Sequence, residues 1–148
     1  MKRNLSLSVE MTPPRSDVSF LVEKLMDHNS RIVGDRTITP VSVFIRDERG
    51  VAVGGLVGEV YWGWFSIETM WVNDEFRYQG YGSMLLRAAE DEARRHNCRH
   101  SRTDTFSFQA LPFYQKHGYH VFGQLEDMPA GHTRYFLHKK LDNAEESF

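Results

Sequence analysis

The sequence predicts a mixed α/β domain whose first half is an antiparallel meander. Three observations carry that reading. Apolar and polar residues alternate in short runs separated by turn residues. The period then switches to helical spacing just after a glycine-bearing loop. Beyond that loop, strand-like and helix-like runs alternate to the end of the chain.

Leu5, Leu7, Val9 and Met11 alternate with Asn4, Ser6, Ser8 and Glu10, the pattern of a half-buried strand, and Pro13-Pro14 ends it. Val18, Leu21, Val22, Leu25 and Met26 recur at helical spacing, with Ser16 as candidate N-cap. Residues 28–39 read as irregular or weakly helical. Val41, Val43 and Ile45 open the next alternating run. Asp47-Glu48-Arg49-Gly50 is a turn signal, and residues 51–61 are its hairpin partner. Glycines 54, 55 and 58 weaken that strand or mark a bulge. Trp62-Gly63-Trp64 turns the chain again into a strand over 65–72. Gly82, Leu86, Ala89 and Ala93 then share one helical face, with Glu90/Arg94 and Asp91/Arg95 as outward i,i+4 pairs. That helix ends near His96-Asn97. A strand over 99–106, a short helix over 108–117 stopped by Gly118, and strands over 119–125 and 132–141 complete the order. One domain covering residues 1–148 is expected, its tail 142–148 frayed.

Composition sets bounds on function. The 148 residues are 41% hydrophobic and 26% charged, ordinary for a soluble globular protein. A net charge of -2 with mixed signs gives no bulk argument for nucleic acid or an anionic membrane as partner. The basic cluster Arg94, Arg95, His96, Arg99, His100 and Arg102 reads as a helix C-terminus and a solvated surface. Cys98 is the only cysteine, so an intramolecular disulfide is impossible and a reducing compartment is the natural setting. Met1-Lys2-Arg3 is followed by alternation instead of a continuous apolar run, and no stretch approaches about 18 uninterrupted apolar residues. The expectation is a cytoplasmic protein with no membrane span. The 7 histidines include no HExxH and no zinc-like spacing, so no metal is expected.

The informative segment is Trp71-Val72-Asn73-Asp74-Glu75-Phe76-Arg77-Tyr78-Gln79-Gly80-Tyr81-Gly82-Ser83. A strand ends, two spaced glycines follow, and a long helix starts. The first amides of a helix lack intrahelical partners, and with the helix dipole they attract anions. Gly80 and Gly82 allow phosphate oxygens to approach closely, and Arg77 adds a fixed positive charge. No Gly-Lys-Ser/Thr follows, so this is not a Walker A loop. Leu85 stands where a dinucleotide fingerprint has its third glycine.

Arg77-Tyr78-Gln79-Gly80-Tyr81-Gly82 resembles the Arg/Gln-x-x-Gly-x-Gly/Ala signature of the GNAT superfamily of acyl-CoA N-acyltransferases. Downstream, Ala110-Leu111-Pro112-Phe113-Tyr114-Gln115-Lys116-His117-Gly118-Tyr119 is similar to that superfamily's A-x-x-φ-Y-x-x-x-G-φ segment. The resemblance covers residues 41–141. It implies a mostly antiparallel sheet of about seven strands, flanked by about four helices and splayed at a cofactor cleft. It further implies acetyl-CoA as co-substrate. The backbone of Met70, Trp71 and Val72 would flank the pantetheine arm, with the strand over 99–106 diverging from it. Arg77, Tyr78, Gln79, Gly80, Tyr81, Gly82 and Ser83 would hold the pyrophosphate, and Gln109, Phe113 and Tyr114 would contact the cofactor. The family often has Asn seven residues before the tyrosine. Here that place is Ser107, and Gln109 or water is expected to make its contacts.

Acyl transfer to an amine needs a neutral amine, a polarised carbonyl and a proton for the leaving thiolate. The resemblance makes Tyr114 the candidate acid. Glu68 is the candidate base, because alternation puts it on the face of Met70 and Val72 and an acid among apolar strand residues needs a partner or a task. Glu59 and Tyr61 are rivals on the adjoining strand. The expected reaction is acetyl transfer from acetyl-CoA to a primary amine, on a small molecule or a peptide, by direct attack in a ternary complex. Trp62 or Trp64, the loop 127–131 and residues 28–39 are candidate walls of the acceptor site. A homodimer is compatible with the aromatic excess. The same residues are also compatible with a non-catalytic acyl-CoA sensor or interaction module.

Overall fold

In a computed structural model, residues 3–141 are described. They fall into two compact units, Met1–Arg36 and Thr37–Phe148. The N-terminal unit contains one helix, α1 (Arg15–Val33), capped by Pro14 without a side-chain bond and ended by Gly34 at φ 80°. Two expectations are corrected here. Ser16 is inside the helix, because the Pro14 carbonyl already receives the Asp17 amide at 3.0 Å. Residues 28–33 continue the helix, since nothing before Gly34 breaks its ladder. A third correction concerns residues 5–11. They form no strand among the described residues, and Leu5, Leu7, Val9 and Met11 are 89–96% exposed. Alternation makes a segment able to pair, but a strand exists only with a ladder partner.

The second unit contains β1 (Thr39–Arg46), β2 (Ala52–Tyr61), β3 (Trp64–Val72), a 3₁₀ turn at Asp74–Phe76, α2 (Tyr81–Arg95), β4 (His100–Phe106), α3 (Leu111–Lys116), β5 (His120–Glu126) and β6 (Thr133–Lys140). The mixed α/β class holds, with a 6-stranded sheet ordered β1-β2-β3-β4-β6-β5. The strand count is one below expectation because residues 5–11 do not join it. All neighbours are antiparallel except β3 and β4. A parallel pair needs a crossover, and α2 provides it.

One sheet face is buried under α2. Leu86, Ala89 and Ala93 are fully buried against Leu56, Phe65 and Leu137, as the helical period of that segment requires. The Glu90/Arg94 reading is corrected. Glu90 faces inward, 3% exposed, and Arg94 bonds Asp91 at 2.9 Å. The Glu90 carboxylate accepts from Lys139 Nζ at 3.0 Å and from the Tyr119 hydroxyl at 3.0 Å. The Tyr119 hydroxyl in turn shares a 2.8 Å bond with Ser101. A polar cluster of this kind is stable in a core only because each member has a partner. Cys98 is buried, and burial pushes its thiol above the ordinary range, which leaves it unreactive.

Three interruptions of register occur in the second unit, the first at Ile45/Arg46 of β1, where Val53 of β2 is the extra residue. On β3 the pairing with β2 runs Ile67 to Gly58 and then Thr69 to Val57, so Glu68 has no opposite number and forms a bulge. Gly58 permits it, because a Cβ there would lie 2.4 Å from the Ser66 carbonyl oxygen. On β5 the pairing with β6 passes from Val121 to Gly123, and Phe122 is the extra residue.

Candidate active site

β3 and β4 run parallel for three residue pairs only, Trp64 with His100, Phe65 with Ser101 and Ser66 with Arg102. Past that point they separate, and the last tie is the Thr103 hydroxyl donating to the Ile67 carbonyl at 3.5 Å. The divergence expected of these strands is therefore present, and it begins at the Glu68 bulge. A cleft of about 950 Å³ opens in the gap. Its walls are β3 from Ile67 to Val72, the loop and first turn of α2, β4 at Thr103 to Thr105, and α3.

The α2 end of the cleft follows from the glycine loop. Gly80 occupies the N-cap with φ 86°, a conformation that costs any L side chain energy, and offers no side-chain cap. The Met84 amide donates to the Gly80 carbonyl at 3.1 Å and begins the helical ladder. The amides of Tyr81, Gly82 and Ser83 therefore precede the ladder and open toward the cleft mouth. Arg77 is fixed by two bonds, Nε to the Val72 carbonyl at 3.1 Å and a guanidinium nitrogen to Asp74 at 3.1 Å. The Ser83 hydroxyl is 2.8 Å from His117 Nε2. Burial, helped by Arg87, holds the His117 imidazole below its ordinary range, so a neutral ring rather than a cation adjoins this turn.

Most of the expected residues meet here. Glu68, Met70, Trp71, Val72, Arg77, Tyr78, Gly80, Tyr81, Gly82, Ser83, Gln109, Phe113 and Tyr114 all line the cleft. Gln79 does not, and its side-chain amide folds back onto the Glu75 carbonyl at 3.0 Å. Three roles change in detail. Gly82 serves helix packing as well as access, because an added Cβ would lie 3.2 Å from the Phe113 ring. The Gln109 carbonyl oxygen is occupied by the Phe106 amide at 3.0 Å, so this side chain braces its own turn. Ser107 accepts the Thr133 amide at 3.1 Å and ties β4 to β6 outside the cleft lining. Glu68 reaches the gap, but not by simple alternation: the bulge shifts parity, so Ile67 is the residue in phase with Met70.

Tyr114 is 5% exposed, with its ring edge-on to Phe113 and Tyr119. Burial pushes its phenol above the ordinary range, Asp104 adds to that push, and a hydrogen bond with Thr103 opposes it. The cleft thus holds a protonated phenol shielded from bulk water. Asp104 and Lys116 also line it, and sequence reasoning passed over both. Asp104 is fixed by Arg134 at 2.8 Å. Lys116 was legible as an i+3 neighbour of Phe113 on one helical face.

A loop of free amides on a helix start, at the mouth of a gap between parting parallel strands, suits a ligand with an anionic group and an extended amide-bearing arm. The profile of the Acetyltransferase (GNAT) family matches residues 11–119, and the chain belongs to that family. It is an acyl-CoA-dependent acetyltransferase. It is 38% identical over 107 residues to the blasticidin-S acetyltransferase of Streptomyces morookaense, covering 72% of this chain and 79% of that protein. A crystal structure of an acetyltransferase from Bacillus cereus superposes with TM-score 0.84 at 35% identity, over 90% of this chain and 98% of that one. A Bacillus anthracis protein solved in complex with acetyl coenzyme A shares the fold, with TM-score 0.62 at 19% identity over 70% of this chain and 63% of that one.

Proposed function

We propose that this enzyme transfers an acetyl group from acetyl-CoA to a primary amine of a small molecule, by direct attack within a ternary complex. The observation that carries the reading is the cleft itself, which joins a helix start suited to a diphosphate with an unpaired strand edge suited to an amide-rich arm. The pyrophosphate meets the amides of Gly80 to Ser83 beside Arg77. Pantetheine amides pair with the backbone of Met70 to Val72, where β4 no longer does. The name of the Streptomyces relative supports a small-molecule acceptor.

In this scheme the amine nitrogen attacks the thioester carbonyl carbon, and the carbon–sulfur bond breaks as the tetrahedral adduct collapses. The Tyr114 phenol gives its proton to the departing sulfur. Glu68, at the bulge on the edge of the gap, takes the proton from the amine directly or through water. Calorimetry with acetyl-CoA and release of CoA thiol across a panel of small amines tests the reading. Saturable binding and amine-dependent release are expected. Binding without release for any amine would sink the transfer.

Gly80→Asp tests the diphosphate site. Nothing lies within 4 Å of a Cβ at Gly80, so the new carboxylate has room beside the helix amides. Asp tolerates left-handed φ better than most residues. It should therefore satisfy those amides internally and repel the diphosphate, weakening acetyl-CoA about tenfold to a hundredfold while the left-handed φ lowers the melting temperature by only about 2–4 °C. Unchanged affinity would put the diphosphate elsewhere.

A further inference from the structure

A second hollow of about 480 Å³ is lined by Tyr61, Trp62, Trp64, Arg102, Phe122 and His138. This volume falls in the usual range for small-molecule sites. Its walls rest on two irregular pieces of backbone. Trp62 and Gly63 form the two-residue turn between β2 and β3, both with positive φ (49° and 78°). Asn or Gly occupies the first of these positions at little cost, whereas a tryptophan there is strained. On the other wall, Phe122 is the bulged residue of β5, turned edge-on to His138 at 5.2 Å. The Trp64 ring is stacked on His100 at 4.6 Å. Strain retained for the sake of a large aromatic side chain points to a task for that side chain.

Charge and position narrow the task. Arg102 donates to the Tyr61 hydroxyl at 3.3 Å and places a permanent positive charge in the hollow. An ammonium is disfavoured there, but a flat ring with an acceptor atom on its edge is suited to both the aromatic walls and the guanidinium. The hollow and the cleft follow one another along the same strand pair. Trp64 and Arg102 line the hollow, and Ile67, Glu68, Thr103 and Asp104 line the adjoining end of the cleft. The four residues from Trp64 to Glu68 span about 13 Å, the combined length of a ring carrying a short amine arm and the reach of the Glu68 side chain.

We infer that this hollow is the acceptor subsite, holding a planar aromatic or heteroaromatic ring whose amine reaches back to Glu68. The inference rests on the acetyl-transfer reading above and adds the acceptor's class. Phenylpropylamine, cyclohexylpropylamine and pyridylpropylamine serve as probes of matched length. The flat rings should show KM about fivefold to tenfold below the puckered one, and pyridyl should be the better of the two.

Trp62→Asn should abolish that preference while acetyl-CoA affinity stays constant. Because Asn-Gly suits this turn, relief of strain should offset the lost ring contact with Tyr61 and keep the melting temperature within about 2–4 °C of wild type, so a loss of preference cannot be ascribed to unfolding. Phe122→Ala should act in the same direction from the other wall. Equal KM for flat and puckered rings in the wild type would overturn the subsite, as would retained preference in both variants. So would a self-association lost in Phe122→Ala with KM unmoved, which would make the hollow an interface between copies. Each of these results leaves the transfer reading standing if acetyl-CoA binds and amines are acetylated. Failure of the wild type to bind acetyl-CoA would instead remove the reading beneath the inference.

Discussion

Tyr114→Phe should lower kcat by about a hundredfold or more while acetyl-CoA binding changes little. The variant removes one oxygen from a ring packed between Phe113 and Tyr119, so the wall of the cleft keeps its shape. Thr103 loses that partner but keeps its bond to the Ile67 carbonyl, and the cost in stability should stay near 1 kcal/mol. What disappears is the only buried phenol that lines the cleft among the described residues. The pH dependence adds a second check. A phenol raised by burial retains its proton beyond about pH 10, so in the wild type the loss of this acid should appear only above the ordinary tyrosine range. The fall should be absent from the residual activity of Tyr114→Phe. A kcat within about threefold of wild type would reduce Tyr114 to a packing residue.

Glu90→Ala should be strongly destabilising. The carboxylate is 3% exposed and receives Lys139 from β6 and the Tyr119 hydroxyl together. Truncation leaves an ammonium with 21% side-chain exposure and no counter-charge from Glu90, and leaves the Tyr119 phenol with Ser101 alone. Removing one member of such a pair costs about 3–5 kcal/mol when the other is fully buried. Lys139 is partly exposed and can turn toward water, so about 2–4 kcal/mol is expected, or roughly 10 °C in melting temperature. Glu90→Gln, which still accepts from Tyr119, should lose about half as much. Denaturant unfolding of the three proteins measures this. A loss under about 1 kcal/mol would mean that Lys139 had relaxed into solvent.

The parts of the molecule that depend on local pattern were legible in the chain. Val41, Val43 and Ile45 announce β1, and the spacing of Leu86, Ala89 and Ala93 gives the inward face of α2. The loop from Arg77 to Ser83 could be placed because its glycines, its charge and the following helical period occur together. The parts that depend on distant partners were not legible. Alternation puts Glu68 in phase with Met70, yet the register jumps between Gly58 and Val57, and that jump is recorded in another strand. The 5–11 run has the right period and no ladder. Glu90 reads as a surface residue in a helix rich in charge, and only the arrival of Lys139 and Tyr119 from later elements makes its burial tolerable. Gln109 reads as a cofactor contact, because nothing in its neighbourhood reveals that the Phe106 amide bonds its side-chain oxygen.

The brief contact between β3 and β4 has a consequence for the whole sheet. Only three residue pairs of backbone ladder, the helix that crosses between them and a few single bonds, such as Thr103 to Ile67 and Arg102 to Tyr61, join β1-β2-β3 to β4-β6-β5. A molecule laid along the unzipped edge of β3 supplies the rungs that β4 withholds, and so mends the seam from within. Occupancy and resistance to unfolding are then linked, because whatever binds only the closed sheet holds its two halves together.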